Sequence, residues 1–379
     1  MDYFEKSLIL HKKYHGKLCT KEKVSLENSE DLSTYYSPWV AAPCLEIQKD
    51  EKKAYDYTRK WNNIAIISDW SAVLWLWNIW WLAGLPVMEG KAILFKKFWN
   101  IDAVPIVLST QDPDEVIHII EGIAPSFWWI NLEDISAPNC FYIEKKLKER
   151  LNIPVFHDDQ HGTAIVVLAW IINALKLKWE ELSNQKIIIS WAWAAAIAIW
   201  HLLRKAWAKN IIFSDSKWLL STSREDLNPY KQEVLKYNTN NVSWTIHDGL
   251  KDSDIFIWVS KWNILNSDDI KTMNKNPIIF ALANPIPEIT PEEAKKWWAY
   301  IIATWRSDYP NQVNNVLAFP WIFRGALDWE IKQITDEHKL AAAYALANSV
   351  KEPEIEKILP TAFEKEVVEN IATAVKNIA

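Results

Sequence analysis

Short apolar runs alternate with amphipathic segments along the second half of the chain. Four runs have the length and the isoleucine content of buried strands: Lys186–Ser190, Asn210–Ser214, Ile255–Val259 and Pro277–Leu282. A helical pattern from about Ala194 to Ala206 separates the first two runs. Strands that alternate with helices predict a doubly wound parallel sheet.

The first half has a similar but less regular pattern. Apolar runs predict strands at Ile64–Ser68, Ala103–Leu108, Ile130–Leu132 and Val155–Phe156. Amphipathic spacing predicts a helix at residues 2–15, and helices are also expected at Asp114–Gly122 and, after a turn, within Leu85–Lys97. Gly162–Lys176 is expected to be a long apolar helix with small residues, and proline favours a loop over residues 31–45. We therefore expect an N-terminal α/β domain over residues 1–160, a sheet domain over 161–330 and C-terminal helices over 331–379.

Composition narrows the class of protein. The formal net charge is −6 and no long basic run occurs, which argues against a nucleic-acid-binding protein. Three cysteines are too few and too scattered for a disulfide framework. No uninterrupted apolar stretch has the 18 or so residues of a membrane span, and the charged N-terminus does not resemble a signal peptide. These features predict a cytoplasmic protein without a membrane or nucleic-acid partner.

The tryptophan content is abnormal. The chain has 25 tryptophans and seven glycines, whereas glycine usually makes up about 7% of a protein and tryptophan is rare. Many tryptophans stand where a turn needs glycine, as in Ser37-Pro38-Trp39. Three interpretations remain open: a gene that uses UGA for glycine but was translated with UGA as tryptophan, a deliberate replacement, or a protein that is truly rich in tryptophan. We adopt the first when we assign functional residues.

The segment after the first strand of the second half is a candidate dinucleotide-binding turn. With glycine at Trp191 and Trp193, the sequence becomes G-A-G followed by Ala194, Ala195 and Ala196, which is typical of the phosphate-binding turn of a Rossmann-type domain. Asp215 follows the next strand, where an acidic residue usually binds the ribose hydroxyls. This acid favours NAD, but the adjacent Ser216 and Lys217 leave NADP open. A βαβ turn without any ligand is the plainer alternative.

Two acidic pairs follow predicted strands of the first half. Glu133-Asp134 comes after one strand, and Asp158-Asp159 lies between His157 and His161 after another. Carboxylates at neighbouring strand ends are suited to Mg²⁺ or Mn²⁺, and the two histidines leave zinc as an alternative. Solvated loop acids, or acids that favour a helix N-terminus, would produce the same pattern.

Other residues suggest chemistry only weakly when taken singly. Lys91, at a predicted helix, would act as a base if it were buried near acids and a cation. Tyr36 is a candidate general acid. Asn284, Asn314 and Asn315 are amides that would suit a carboxylate group. For each of them, a surface or packing role is the simpler interpretation.

Taken together, these segments resemble the short bacterial form of malic enzyme over essentially the whole chain. The most specific stretches are Phe156-His157-Asp158-Asp159-Gln160-His161-Gly162-Thr163-Ala164 and Arg306-Ser307-Asp308-Tyr309-Pro310-Asn311-Gln312-Val313-Asn314-Asn315-Val316. Tyr35-Tyr36-Ser37-Pro38, Leu85–Lys91 and Ile130–Asp134 add to the resemblance. Departures from the family pattern are nearly always tryptophan for glycine, which supports the recoding interpretation.

The resemblance implies a fold, a reaction and a set of roles. It implies metal-dependent oxidative decarboxylation of (S)-malate to pyruvate and CO₂ with reduction of NAD or NADP, decarboxylation of oxaloacetate, and a homodimer. It implies that Glu133, Asp134 and Asp159 bind the metal, that Lys91 is the base with Asp158 as its support, and that Tyr36 is the acid. It also implies that Asn284, Asn314 and Asn315 contact the substrate. The cofactor contacts that it implies are Trp191, Trp193, Ala194, Ala195, Ala196, Asp215, Ser216 and Asn284.

An arginine that larger animal-type enzymes use after Asp69 is missing, because Ser71 and Ala72 occupy that stretch. How the substrate carboxylates are held is therefore open. Two rival functions remain at this stage. One is another dehydrogenase on a similar two-domain scaffold, such as an amino-acid dehydrogenase, and the other is a non-catalytic protein in which every tryptophan is real.

Overall fold

The structure is a computed structural model. It describes residues 3–74, 76–190, 194–215, 218–227, 229–235, 245–258, 267–283, 286–306, 308–329, 331–361 and 364–378. Trp191, Trp193, Ser216, Lys217 and Asn284, which the sequence singled out, lie outside the described residues.

The chain begins with four helices that bury none of their own residues. They are α1 (Tyr3–Tyr14), α2 (Ser29–Tyr35), α3 (Ala41–Lys49) and α4 (Ala54–Tyr57). The predicted loop over residues 31–45 is therefore wrong, because α2 and α3 occupy most of it. Asn28 provides the start signal for α2, since its side chain accepts a hydrogen bond from the backbone N–H of Asp31.

The first sheet has four parallel strands. These are β1 (Asn63–Ser68), β2 (Asp102–Val107), β3 (Trp129–Leu132) and β4 (Val155–His157), in the order β2-β1-β3-β4. Helices α5 (Trp81–Trp99), α6 (Pro113–Ile123) and α7 (Asn139–Arg150) connect them. All four predicted strands are confirmed to within two residues, whereas α7 was not predicted.

Helix α8 (Asp158–Lys178) follows β4 directly and is almost entirely buried. It packs against a helix of the second half, and its Trp170 ring lies 4.7 Å from that of Phe280. Among the described residues it is the one helix long and apolar enough to pass a length-and-hydropathy test for a membrane span. Its burial inside the protein is what a core helix shows, since a helix that is apolar all round must be covered on every side.

The second sheet is parallel throughout and is doubly wound, as predicted. Its strands are β5 (Lys186–Ser190), β6 (Asn210–Phe213), β7 (Ile255–Trp258), β8 (Ile278–Ala281) and β9 (Ile301–Thr304), in the order β6-β5-β7-β8-β9. Helices α9 (Ala194–Lys205), α10 (Pro229–Leu235), α11 (Ile246–Leu250), α12 (Ser267–Lys271) and α13 (Pro291–Lys296) lie between or after the strands. Of the five described strands of this sheet, the sequence predicted all but β9, which is four residues long.

Three C-terminal helices complete the described chain: α14 (Phe319–Asp328), α15 (Asp336–Asn348) and α16 (Lys365–Lys376). Helices α14 and α15 both pack against α16 and α8. Phe319 and Phe323 of α14 contact Phe95 of α5, with each pair of ring centroids 5.0 Å apart. The C-terminal segment therefore packs against both halves of the molecule.

Candidate active site

Three neighbouring strands bring the predicted acidic residues to one edge of the first sheet. Because β1, β3 and β4 are parallel and adjacent, their carboxyl ends meet there. Glu133 and Asp134 follow β3, while Asp158 and Asp159 follow β4 and form the first turn of α8. Burying four ionised carboxylates at the ends of two strands costs free energy unless cations lie beside them.

Lys91 supplies one such cation from α5. Its Nζ lies 2.5 Å from Oδ2 of Asp158 and 2.8 Å from Oε1 of Glu133, and it lies over the Phe319 ring. Burial alone would lower the pKa of Lys91, but the carboxylates of Asp158 and Glu133 outweigh it and raise that pKa above its usual value. Lys91 is therefore an ammonium group in this arrangement, and the surface-residue alternative for it is wrong.

Glu133, Asp134 and Asp159 form the candidate metal centre. One oxygen from each carboxylate lies within 4.8 Å of the other two. Asp159 Oδ2 also accepts the backbone N–H of Asp134 at 2.9 Å, while Oδ2 of Asp134 is buried and has no hydrogen-bond partner among the described residues. A buried carboxylate oxygen left without a donor suits a hard cation, so these residues fit Mg²⁺ or Mn²⁺.

Electrostatics support that fit. Burial raises the pKa of Asp134 well above its ordinary value, and the nearby Asp159 and Glu133 carboxylates raise it further. Burial likewise raises the pKa of Asp158 to about 7, although Lys91 favours its charged form. Added positive charge at this edge would stabilise the carboxylates in their ionised form.

Neither histidine joins the three carboxylates. The Nε2 atom of His161 lies 2.8 Å from Oε1 of Glu144, and this pairing directs the ring toward α7. His157 is fully buried, and its Nδ1 lies 3.9 Å from Asp159 Oδ2. Within the described ranges the only cluster of potential ligands is carboxylate, which favours Mg²⁺ or Mn²⁺ over zinc.

The predicted substrate-binding amides and the predicted acid lie in different surroundings. Asn315 joins the centre, since its Nδ2 donates to Oδ2 of Asp158 at 2.5 Å. The Asn314 side chain instead accepts the backbone N–H of Val316 and caps a short 3₁₀ helix. Tyr36 is 70% exposed at the end of α2, and its hydroxyl has no hydrogen-bond partner among the described residues.

The predicted dinucleotide turn lies between β5 and α9. Its central residues are outside the described residues, but β5 ends at the buried Ser190 and α9 begins at Ala194, with Ala195 and Ala196 in its first turn. A strand that leads directly into a helix N-terminus is the arrangement that binds a pyrophosphate. The described residues therefore give a strand before residue 191 and a helix after residue 193.

The Asp215 carboxylate is held by two cationic side chains. Both of its oxygens are occupied: Arg224 donates two hydrogen bonds at 2.8 and 2.9 Å, and Lys231 donates a third at 2.8 Å. The carboxylate therefore holds two cations in place beside the predicted ribose position. Sequence inspection stopped at the acid and did not consider these cations, which follow nine and 16 residues later.

Sequence inspection also missed Asn131. This residue is fully buried in β3, and its Nδ2 donates to Oε2 of Glu133 at 2.8 Å. The signal was available, because side chains two residues apart on a strand share one face. An amide on a central strand is uncommon unless it has a polar partner.

The fold and the centre together define a class of protein. A doubly wound parallel sheet with a strand–turn–helix start, joined to an α/β half that carries a lysine and a carboxylate metal centre, is the architecture of a dinucleotide-dependent oxidoreductase.

The comparisons identify the family. The chain matches the malic enzyme N-terminal domain over residues 15–113 and 109–148, and the malic enzyme NAD-binding domain over residues 160–379. This chain belongs to the malic enzyme family.

Relatives span the whole chain. It is 48% identical to a bifunctional malic/malolactic enzyme of Bacillus subtilis, and the match covers 100% of this chain and 93% of that one. It is 45% identical to an NADP-dependent malic enzyme of Escherichia coli, of which it covers 50%. The crystal structure of an NAD-dependent malic enzyme from Thermotoga maritima superposes with a TM-score of 0.95 at 45% identity, covering 99% of both chains.

Proposed function

We propose that this protein catalyses the metal-dependent oxidative decarboxylation of (S)-malate to pyruvate and CO₂ with reduction of NAD or NADP, and that it also decarboxylates oxaloacetate. The observation that carries the proposal is the buried Lys91 ammonium between Asp158 and Glu133, beside three carboxylates that fit a divalent cation. Family membership provides the reaction, and the geometry provides groups suited to it.

The roles follow from these contacts. The Lys91 ammonium must first lose a proton, and a divalent cation beside it would favour that loss by drawing Glu133 away from Nζ. The neutral Lys91 amine then takes the C2 hydroxyl proton of malate as hydride leaves C2 for the nicotinamide, and Asp158 holds Lys91 in place. Asn315 positions Asp158. The resemblance to the family assigns Asn284, Asn314 and Asn315 to the substrate carboxylates. Tyr36 protonates C3 after CO₂ has left. Glu133, Asp134 and Asp159 would hold the divalent cation, which would supply Lewis acidity to stabilise the enolate charge.

The proposed cofactor site lies at the start of α9, with residues 191–196 at the pyrophosphate. The carboxylate of Asp215 favoured NAD, because it would repel a 2′-phosphate. Arg224 and Lys231 offset that negative charge, so we propose that the site accepts both NAD and NADP.

We further propose that the protein is a cytoplasmic homodimer with (S)-malate as its substrate. The N-terminal helices and the segments between them leave many apolar side chains exposed: Tyr3, Phe4, Leu8, Ile9, Leu18, Leu32, Trp39 and Leu45. A surface with so many apolar groups is typical of an interface. A second copy that covered these helices would also enclose Tyr36, as an acid that acts on bound substrate requires. We also propose that the domains divide at residues 160 and 330, because strands β1 to β4 precede the first point and β5 to β9 lie between the two.

The direct experiment is a malate-dependent NADH and NADPH assay with Mn²⁺ or Mg²⁺ present. We expect activity that EDTA removes and Mn²⁺ restores, and none in Lys91→Ala. NAD binding to Lys91→Ala, followed by fluorescence, should be unchanged, because Lys91 lies in the other half of the molecule from the predicted turn. Full turnover by Lys91→Ala would exclude the assigned base, and turnover of an amino acid instead of malate would exclude the reaction.

A further inference from the structure

Asn131 is placed to control how Glu133 is oriented. Asn131 lies on β3 and Glu133 directly follows its last residue, and the amide Nδ2 donates to Glu133 Oε2 at 2.8 Å. The other oxygen, Oε1, lies 2.8 Å from Lys91 Nζ. Each oxygen of Glu133 therefore has its own donor, and the two donors together fix the rotation of the carboxylate about its last bond.

Packing around Asn131 does not explain why an amide occupies this position. The residue is fully buried, and its strand partners are Ile66 on β1 and Phe156 on β4. Its Oδ1 is buried and has no hydrogen-bond partner among the described residues. An apolar side chain of similar shape would avoid the desolvation of that oxygen. The polar group is therefore explained by its contact with Glu133 and not by packing.

Removing the donor would change the balance around Glu133. Without Asn131, the remaining strong donor that Glu133 contacts is the Lys91 ammonium. Both oxygens would then turn toward that charge, since a carboxylate accepts from a cation more strongly than from a neutral group. A carboxylate paired in this way presents less of its charge toward Asp134 and Asp159.

We infer that Asn131 is a positioning residue that holds Glu133 in the orientation needed to bind the divalent cation. The inference rests on the proposed metal centre and adds a residue that does not itself bind the ion. Removing a residue that hydrogen-bonds to a metal ligand typically weakens metal binding by about 10–100-fold.

The test is calorimetric titration of the full-length protein with Mn²⁺ alone, in the absence of malate and dinucleotide. Asn131→Leu keeps a similar volume and removes the donor. We expect its dissociation constant for Mn²⁺ to rise by about tenfold or more, with a thermal midpoint equal to or above that of the parent. Asn131→Val provides a second variant should leucine not fit between the neighbouring strands.

Asn173→Leu is the matched control. Asn173 is also a fully buried amide, but it donates to the backbone oxygens of Ala347 and Ile358, away from the metal centre. We expect this variant to lose thermal stability and to bind Mn²⁺ as the parent does.

The outcomes separate the inference from the proposed function. If the parent binds no Mn²⁺, the proposed metal centre fails, and the inference fails with it. If the parent binds Mn²⁺ and the folded Asn131 variants bind it equally tightly, the inference alone is overturned. In turnover assays the Asn131 variants should need more Mn²⁺ for half-maximal rate and recover most of the parent rate at saturation. A lower rate at an unchanged Mn²⁺ requirement would also overturn it.

Discussion

At the scale of single residues, backbone conformation bears on the tryptophan problem. Five described tryptophans have positive φ: Trp70, Trp77, Trp179, Trp207 and Trp298. Trp179, Trp207 and Trp298 each follow the end of a helix, and the next residue donates its N–H to a carbonyl five residues earlier. That pattern is the Schellman motif, whose left-handed position is usually glycine. Their side chains are exposed, so the indoles gain little packing in return.

We propose that the protein made by its native host has glycine at these helix ends. A tryptic peptide that spans Trp207 should then have the mass expected for glycine at that position, and the codon in the gene should be UGA. An indole-containing peptide, or a UGG codon, would rule out recoding at this position.

For protein produced with the printed sequence, Trp179→Gly should raise stability. The φ of Trp179 is 56° and its side chain is 95% exposed, so glycine relieves a left-handed strain of roughly 1 kcal/mol while giving up little contact. Urea unfolding measures the change. Trp61→Gly is the control, because Trp61 lies outside the positive-φ residues and contacts Lys23, and it should lower stability. A loss in both variants would contradict the argument.

Residue identity was the most predictable part of the site. Lys91, Glu133, Asp134, Asp158 and Asp159 were all selected from the sequence, and the structure brings them together because parallel strand ends converge. Asn131 and Arg224 were missed, since a single buried amide or a distant arginine has no local pattern. Tyr36 was selected as well, but a single chain leaves it 70% exposed, and its place relative to the centre depends on the proposed dimer.

At the scale of elements, the strands were predictable and the N-terminal helices were less so. Buried parallel strands are nearly continuous apolar runs, and these stand out in a polar chain. Helices α2 and α3 bury none of their residues, so they lack the apolar stripe that reveals a helix. Helix α7 has a polar composition with only four buried residues, which hides its period in the same way.

The first turn of α8 depends on Gly162. A Cβ atom there would lie 2.1 Å from Oδ1 of Asp158 and 3.1 Å from Cβ of Asn315. Gly162→Ala should therefore displace Asp158 and lower kcat/KM for malate by about 100-fold, since a shift of about 1 Å can cost that much. Gly122→Ala in α6 meets nothing within 4 Å and should leave activity intact. Equal activity in the two variants would show that Asp158 is not held as described.

Helix α15 is attached to α9 through Asp336. This carboxylate accepts from His201 Nε2 at 2.7 Å and lies 3.2 Å from Nζ of Lys205 and of Lys339. The hydrogen bond from His201, with the nearby Lys339, holds the pKa of Asp336 below its ordinary value. Asp336→Asn should lower the free energy of unfolding at pH 7 by about 1–2 kcal/mol.

The sign of its pH dependence follows from the lowered pKa. Stabilisation by a carboxylate with a depressed folded-state pKa is complete above roughly pH 4, the unfolded value, and disappears as pH falls toward the folded value. The difference between parent and Asp336→Asn should therefore shrink as pH falls below about 4. Urea unfolding across this range measures it. Asp268→Asn, which removes an exposed pair with Lys271, should show almost no difference at any pH.

At the scale of the whole molecule, the exposed N-terminal helices predict self-association. Leu8→Asp in α1 places a charge where an apolar side chain is 62% exposed. In the proposed homodimer this change should shift the protein toward monomer in analytical ultracentrifugation and lower its activity. Ile119→Asp in α6 alters another partly exposed apolar residue and should leave the dimer intact. A monomeric parent protein would refute the dimer itself.

Helix α8 connects these scales. Its first turn carries Asp158 and Asp159 at the edge of the first sheet, while Trp170, three turns later, packs on Phe280 of the second. Two of the four carboxylates at the candidate site thus belong to a helix that also packs against the second sheet. A chimera that exchanges the two halves between relatives should therefore have its junction before residue 158, between β4 and α8. Asp158 and Asp159 then stay on the helix that packs against the second sheet.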